Sequence, residues 1–161
     1  MKQGYSQLTL DLGSVNKIYK ALSELVTSKA DTESQKVIEI LNIPGLELHT
    51  TLMYDKRDPD IIPGINRNTY KATITGVERL GRVGGSYYAL VLLVDSDGVQ
   101  ERFKELLDMG YQHSFPDLKL HISLHYGDQV DMAYPLVKEA FEKGLLPKEV
   151  TLGGECWNAC R

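Results

Sequence analysis

Leu48-His49-Thr50-Thr51-Leu52-Met53-Tyr54 and Leu120-His121-Ile122-Ser123-Leu124-His125-Tyr126 repeat one pattern: Leu, His, any residue, Thr or Ser, Leu, any residue, Tyr. In a β-strand, residues i and i+2 share a face. The first segment is therefore expected to turn His49, Thr51 and Met53 one way and Leu48, Thr50, Leu52 and Tyr54 toward a core. The same parity groups His121, Ser123 and His125. Each unit then presents an imidazole beside a hydroxyl from a rigid strand with a mainly apolar back. A single histidine on a strand is more often a hydrogen-bonded, half-buried residue than a catalyst. Two matching units, each framed by Leu before and Leu-x-Tyr after, are hard to obtain from packing needs alone.

Working outward, Ser6 to Leu12 alternates Leu8, Leu10 and Leu12 with polar residues and reads as a strand ended by Gly13. Ser14 is the expected N-cap of a helix whose apolar stripe is Val15, Ile18, Tyr19, Leu22, Leu25 and Val26. Asp31 to Leu41 reads as a helix before a turn at Ile43-Pro44-Gly45, and Glu47 to Tyr54 as a strand. The polar stretch Asp55 to Asn66 is a loop. Thr69 to Leu80 and Tyr87 to Val94 form a hairpin through Gly84-Gly85. Asp95 to Gly110 is a helix stopped by its glycine, Leu118 to Tyr126 a strand, Met132 to Lys143 a helix with Pro135 in its first turn, and Glu149 to Leu152 a closing strand. With no composition shift to mark a linker, residues 1–161 are expected to form one α+β domain.

Bulk properties narrow the function classes. The chain has 161 residues, 42% of them hydrophobic, enough for one sizeable core. It contains no run of 18 apolar residues and no apolar N-terminal stretch, so a soluble, cytoplasmic protein without membrane contact is expected. A formal net charge of -4 argues against a footprint on duplex nucleic acid, while leaving room for a small anion in a local basic pocket. Cys156 and Cys160 form no disulfide framework, and with His113 and His125 they match no zinc-site spacing. No metal and no cofactor are expected.

Cleavage of an RNA-type phosphodiester needs a base to take the proton of a 2'-hydroxyl and an acid to protonate the departing 5'-oxygen. Imidazole changes protonation near neutral pH, so two histidines suffice for that pair. Adjacent hydroxyls can donate to phosphoryl oxygens as charge develops. On these residues the chain resembles the two-histidine phosphoesterases, which carry two H-x-[T/S] motifs on symmetry-related strands. The resemblance implies a bilobal fold, with two pseudo-symmetric antiparallel sheets, outer helices and a central cleft. It also implies that His49, Thr51, His121 and Ser123 are the catalytic residues; Ser123 stands where Thr is common and keeps the hydroxyl.

The contexts LHTTLMYDKRDP and LHISLHYGD, the length and the tryptophan-containing tail are most similar to phage anti-CBASS proteins. That likeness implies 3',3'-linked cyclic di- and trinucleotide substrates such as cyclic GMP-AMP and cyclic tri-AMP. Linear, phosphate-ended products are expected, and the site of action would be an infected host's cytoplasm. RNA-end processing of 2',3'-cyclic phosphates and a non-catalytic cyclic-nucleotide sponge are the alternatives. For the bases, Trp157 and Tyr19 are candidate stacking rings, and Glu149 and Glu155 candidate acceptors for an amino group. Each of these four has a competing role in packing or at the surface, and Tyr54, a further candidate stacking ring, lies on the core-facing parity of its strand. The loop Asp55-Lys56-Arg57-Asp58 offers cations beside the first motif, though an ordinary solvated turn is the more economical reading. Neither the oligomeric state nor the assignment of acid and base follows from the sequence.

Overall fold

The computed structural model of the protein describes residues 4–41 and 47–157. The turn expected at Ile43-Pro44-Gly45, and Cys160, lie outside them. The elements run β1 (Tyr5–Leu10), α1 (Leu12–Lys29), α2 (Thr32–Leu41), β2 (His49–Tyr54), β3 (Tyr70–Leu80), β4 (Ala89–Asp95), α3 (Asp97–Asp108), β5 (His121–Tyr126), α4 (Val130–Glu142) and β6 (Glu149–Trp157). The strands form one antiparallel sheet in the order β2-β1-β6-β3-β4-β5.

A strand–helix–strand unit recurs in the two halves. β1 leads through α1 and α2 to β2, which pairs antiparallel with β1, and β4 leads through α3 to β5, which pairs antiparallel with β4. The two histidine motifs therefore occupy the outermost strands. The α+β class and the two-fold plan agree with the sequence reading, but the expected pair of sheets is a single continuous one. β3 and β6 join the halves through the register Tyr70↔Leu152 to Thr73↔Glu149. That ladder satisfies the backbone groups that two separate sheets would leave on their inner edges.

The core follows from alternation. Leu8, Leu10, Leu52, Leu90, Leu92, Ile122, Leu124, Val150 and Leu152 are buried with Ile18, Leu22 and Leu25 of α1 and with Ala133, Leu136 and Val137 of α4. α4 packs on β3 and β4 and touches α1 and α2, while α3 packs against β2 and β3.

Three local expectations are corrected. The cap of α1 is Asp11, whose carboxylate accepts from the Ser14 amide at 2.7 Å; Ser14 lies in the first turn, where its Oγ accepts from the Thr151 amide at 3.0 Å. α4 begins at Val130, so Pro135 falls past its first turn. β6 does not end at Leu152. Gly153 meets Thr69 so closely that a Cβ would lie 3.1 Å from its Cγ2, and Gly154 takes φ +61°. The glycine pair is thus a bulge within the strand rather than its stop.

Candidate active site

Along β2, Gln7 pairs with Thr51 and Ser6 with Met53, so Leu52 is an extra residue bulged out of the ladder. Along β5, Val91 pairs with Ser123 and Leu90 with His125, so Leu124 is the extra residue. Each bulge lies three residues after its motif histidine. A bulge shifts the inward/outward alternation beyond it. Strict alternation predicts Met53 beside His49 and Thr51 with Tyr54 in the core. Instead Met53 is fully buried, and Tyr54 returns to the open side with His49 and Thr51, all three half-buried. In β5 the same shift lets Tyr126, 52% exposed, reach back and donate from its hydroxyl to Ser123 Oγ at 3.0 Å.

The imidazoles are held alike. His49 Nδ1 lies 3.3 Å from the carbonyl of Glu47, and His121 Nδ1 lies 3.2 Å from the carbonyl of Lys119. A carbonyl only accepts, so in both rings Nδ1 carries the hydrogen of that bond and Nε2 is left for chemistry.

A segment of irregular chain closes the gap between the outermost strands. The Tyr54 amide donates to His113 Nδ1 at 3.0 Å, the Ser114 amide donates to the Tyr54 carbonyl at 2.8 Å, and the Lys56 amide donates to Ser114 Oγ at 3.2 Å. Residues 113–114 thus bind the open edge of β2, and the chain then continues into β5. The result is a cleft of about 360 Å³ lined by Thr51 and Tyr54 from β2, Leu80 from β3, His113 and residues 115–119 from the connecting segment, and His121 from β5. Of the four motif residues, Thr51 and His121 line this cleft directly. His49 and Ser123 each stand two positions away on the same strands.

Asp55 fastens the same segment from below. Its carboxylate, almost fully buried, accepts from Arg57 Nη2 at 2.6 Å, Arg57 Nε at 2.9 Å, the Arg57 amide at 3.0 Å and the Gln112 amide at 2.8 Å. The Arg57 bonds hold its pKa below the ordinary aspartate range against the opposing effect of burial, with the Gln112 amide assisting. Arg57 also donates to the Gly110 carbonyl, which makes it a structural clasp rather than a steering cation.

Burial lowers the pKa of His113, outweighing the nearby charge of Asp55. Its ring packs edge-on against Phe103, and a protonated Nδ1 cannot accept from Tyr54. Because the folded pKa lies below the unfolded value near 6.5, this anchor is fully present above about pH 6.5 and is lost as pH falls through the folded value. The expected result is a hydrogen-exchange protection factor for the Tyr54 amide that drops in that acid window in the wild type. In His113→Ala it should be low at every pH.

The four residues considered for base recognition do not line the cleft. Trp157 stacks on Tyr111 with ring centroids 4.8 Å apart, and its Nε1 donates to Glu155 at 2.9 Å. Glu155 also accepts both prongs of Arg102 at 2.8 Å and Asn66 Nδ2 at 2.9 Å, which uses both lone pairs of each oxygen. No acceptor is left for an adenine amino group. Tyr19 packs on the core from α1, and Glu149 sits opposite Thr73 in a separate depression with Lys71, Asp95 and Asp97. Conversely, strict alternation assigns Tyr54, a candidate stacking ring, to the core, and Phe115 and Tyr126 carry no site expectation from sequence. The repeated Leu-x-Tyr was the available signal for the two tyrosines, and an aromatic residue in the polar run Ser114-Phe115-Pro116-Asp117 was the signal for the third.

Compared with known proteins, residues 19–151 match the family described as "Anti-CBASS protein Acb1". The Acb1 protein of Escherichia phage RB16 is 27% identical over 106 residues, covering 64% of this chain and 58% of that one. The Acb1 protein of Vibrio phage KVP40 is 27% identical over 97 residues, covering 60% and 62% respectively. The chain thus spans about three-fifths of the length of these relatives. The structure of Kluyveromyces marxianus Usb1 superimposes with a TM-score of 0.51 at 13% identity over 96% of this chain and 92% of that one, in keeping with a two-histidine-phosphoesterase-like fold.

Proposed function

Since the chain belongs to the anti-CBASS protein Acb1 family, we propose that it is a metal-independent phosphodiesterase. Its substrates are 3',3'-linked cyclic di- and trinucleotides, opened in the host cytoplasm so that a phage escapes CBASS immunity. One observation carries the reading. Two imidazoles on equivalent strands have Nδ1 bonded to the main chain in the same way and a hydroxyl two residues on, which frees two Nε2 atoms for proton transfer.

In the proposed reaction, Nε2 of one imidazole removes the proton of the ribose 2'-hydroxyl. The 2'-oxygen attacks phosphorus and the bond from phosphorus to the 5'-oxygen breaks. The second imidazole, protonated at Nε2, gives its proton to that leaving oxygen. The ring opens to a linear chain ending in a 2',3'-cyclic phosphate, and water reverses the two roles to leave a terminal phosphate. Thr51 and Ser123 donate to the nonbridging oxygens as negative charge grows there. Tyr126 positions the serine. By donating to Ser123 Oγ it occupies an acceptor position, so the serine's own hydrogen is directed elsewhere, toward substrate.

Tyr126→Phe is therefore expected to lower kcat by about tenfold with a smaller change in KM. In a Ser123→Ala background the same substitution should cost almost nothing, because the two act as one unit. Full additivity of the two losses would remove Tyr126 from the mechanism.

The reading is tested by incubating the protein in excess EDTA with 3',3'- and 2',3'-linked cyclic di- and trinucleotides and with a linear oligonucleotide ending in a 2',3'-cyclic phosphate. Products are followed by mass spectrometry. Linear, phosphate-ended products from the 3',3'-linked rings are the expected result. Conversion of the linear substrate alone would assign RNA-end processing instead, and tight binding of rings without product would make the protein a sponge.

A further inference from the structure

Phe115 is 58% exposed, an unusual position for a phenylalanine in a connecting segment, and yet its ring is fixed on two sides. It meets Tyr54 edge-on at 6.2 Å and His113 at 5.7 Å. Those rings are braced in turn, Tyr54 by Tyr5 at 6.1 Å and His113 by Phe103 at 5.1 Å. The bonds of the Tyr54 main chain to the His113 ring and the Ser114 amide hold the base of the same arrangement. An apolar ring kept in water by such a brace leaves exposed an area whose removal from water would be favourable. It lines the cleft that Thr51 and His121 also line, together with apolar Leu80, Pro116 and Leu118 and polar Asp117 and Lys119.

Building on the phosphodiesterase reading, we propose that Phe115 and Tyr54 form the subsite for a nucleobase of the nucleotide whose phosphodiester lies at the two histidines. A nucleobase has an apolar face to stack on the phenyl ring and a polar rim for the polar groups of the lining, and stacking of this kind tolerates any base. The cleft volume of about 360 Å³ is within the range of pockets that enclose small ligands. Trp157 and Tyr111, a stacked pair near this segment, are already in contact with each other and offer no free face between them. The base is thus held by the connecting segment, and the phosphate by the strands. One ordered loop, anchored through His113, Ser114 and Asp55, sets the distance between the two.

The test compares wild type, Phe115→Ala and Phe115→Trp with 3',3'-cyclic GMP-AMP, measuring kcat and KM, equilibrium binding by calorimetry, and the thermal midpoint of each protein. Phe115→Ala is expected to raise KM and Kd about tenfold or more with a smaller fall in kcat. Phe115→Trp should restore both, and the midpoints should agree because the ring is largely in water. Turnover by wild type with no change in KM or Kd in Phe115→Ala would overturn the subsite and leave the catalytic reading standing. Binding that weakens in Phe115→Ala, in a protein that cleaves no phosphodiester, would uphold the subsite and overturn the catalytic reading. Absence of both binding and turnover in wild type would overturn both.

Discussion

Replacing His49 or His121 with alanine is expected to lower kcat on a 3',3'-cyclic dinucleotide by about a thousandfold, the scale on which a positioned acid or base contributes. Stability should hardly change. Both rings are half-exposed on the outermost strands, and among the described residues each is bonded only to a carbonyl two residues earlier in its own chain. Surface losses of this kind stay within about 1 kcal/mol, a few degrees in thermal midpoint for a domain of this size. His121→Asn sharpens the test, because an amide nitrogen can take the place of Nδ1 in the bond to the Lys119 carbonyl but supplies no Nε2. It should be as inactive as alanine. Removing both histidines should cost little more than removing one, since the acid and the base act in a single transition state. Either alanine variant working within tenfold of wild type would remove its histidine from the chemistry.

The largest stability effect is expected away from the cleft, at the Arg102–Glu155 pair. The Glu155 side chain is 1% exposed and that of Arg102 11%. Burial by itself would raise the pKa of the Glu155 carboxyl, but the bonds from Arg102, Trp157 and Asn66 outweigh it and keep the group below the ordinary glutamate range. Its contribution is thus present above the unfolded value and lost as pH falls through the folded one. Glu155→Ala leaves an enclosed guanidinium without its buried counter-charge, with only the exposed Glu105 still paired to it, and removes an acceptor from Trp157 Nε1 and Asn66 Nδ2. Breaking a buried pair from one side costs about 3–5 kcal/mol, which lowers the thermal midpoint by on the order of 10 °C. Glu105 also pairs with Arg102, but its side chain is 64% exposed, so Glu105→Ala should cost less than about 1 kcal/mol. Equal losses in the two variants would show that the pair is not the anchor of the C-terminal end of β6.

Much of this architecture is legible in the sequence because its signals are periodic. The helices α1, α3 and α4 follow apolar stripes, and β2 and β5 follow alternation around the histidines. What alternation cannot show is where a ladder slips. The extra residues Leu52 and Leu124 are ordinary leucines in strand-like surroundings, and only pairing with Gln7 and Val91 reveals that the chain has gained a residue there. That slip decides whether Tyr54 belongs to the core or to the cleft. The same holds at Gly153-Gly154, where two glycines read as a strand end but carry β6 onward and turn Glu155 toward Arg102.

The base-recognition candidates show the other limit. Trp157 and Glu155 have the chemistry to bind a base, and sequence reasoning weighs chemistry by residue type. Their partners, Tyr111 from the segment after α3 and Arg102 from α3 itself, are remote in the chain, so nothing local signals that their valences are already used. Phe115 is the converse case. It lies six residues before His121 in a polar loop, and its value depends on contacts with Tyr54 and His113 that form only when residues 113–114 bind the edge of β2.

The central claim, that one imidazole acts as base while the other acts as acid across a single phosphodiester, is tested most directly by the pH dependence of kcat/KM. It should be measured in single turnovers with EDTA present, so that chemistry sets the rate. A bell with both limbs is expected for the wild-type protein. The residual activity of each alanine variant should keep one limb, a different one for His49→Ala than for His121→Ala, which would also assign the base and the acid. A rate that stays flat from about pH 5 to about pH 9 with chemistry still limiting would contradict the paired-histidine mechanism.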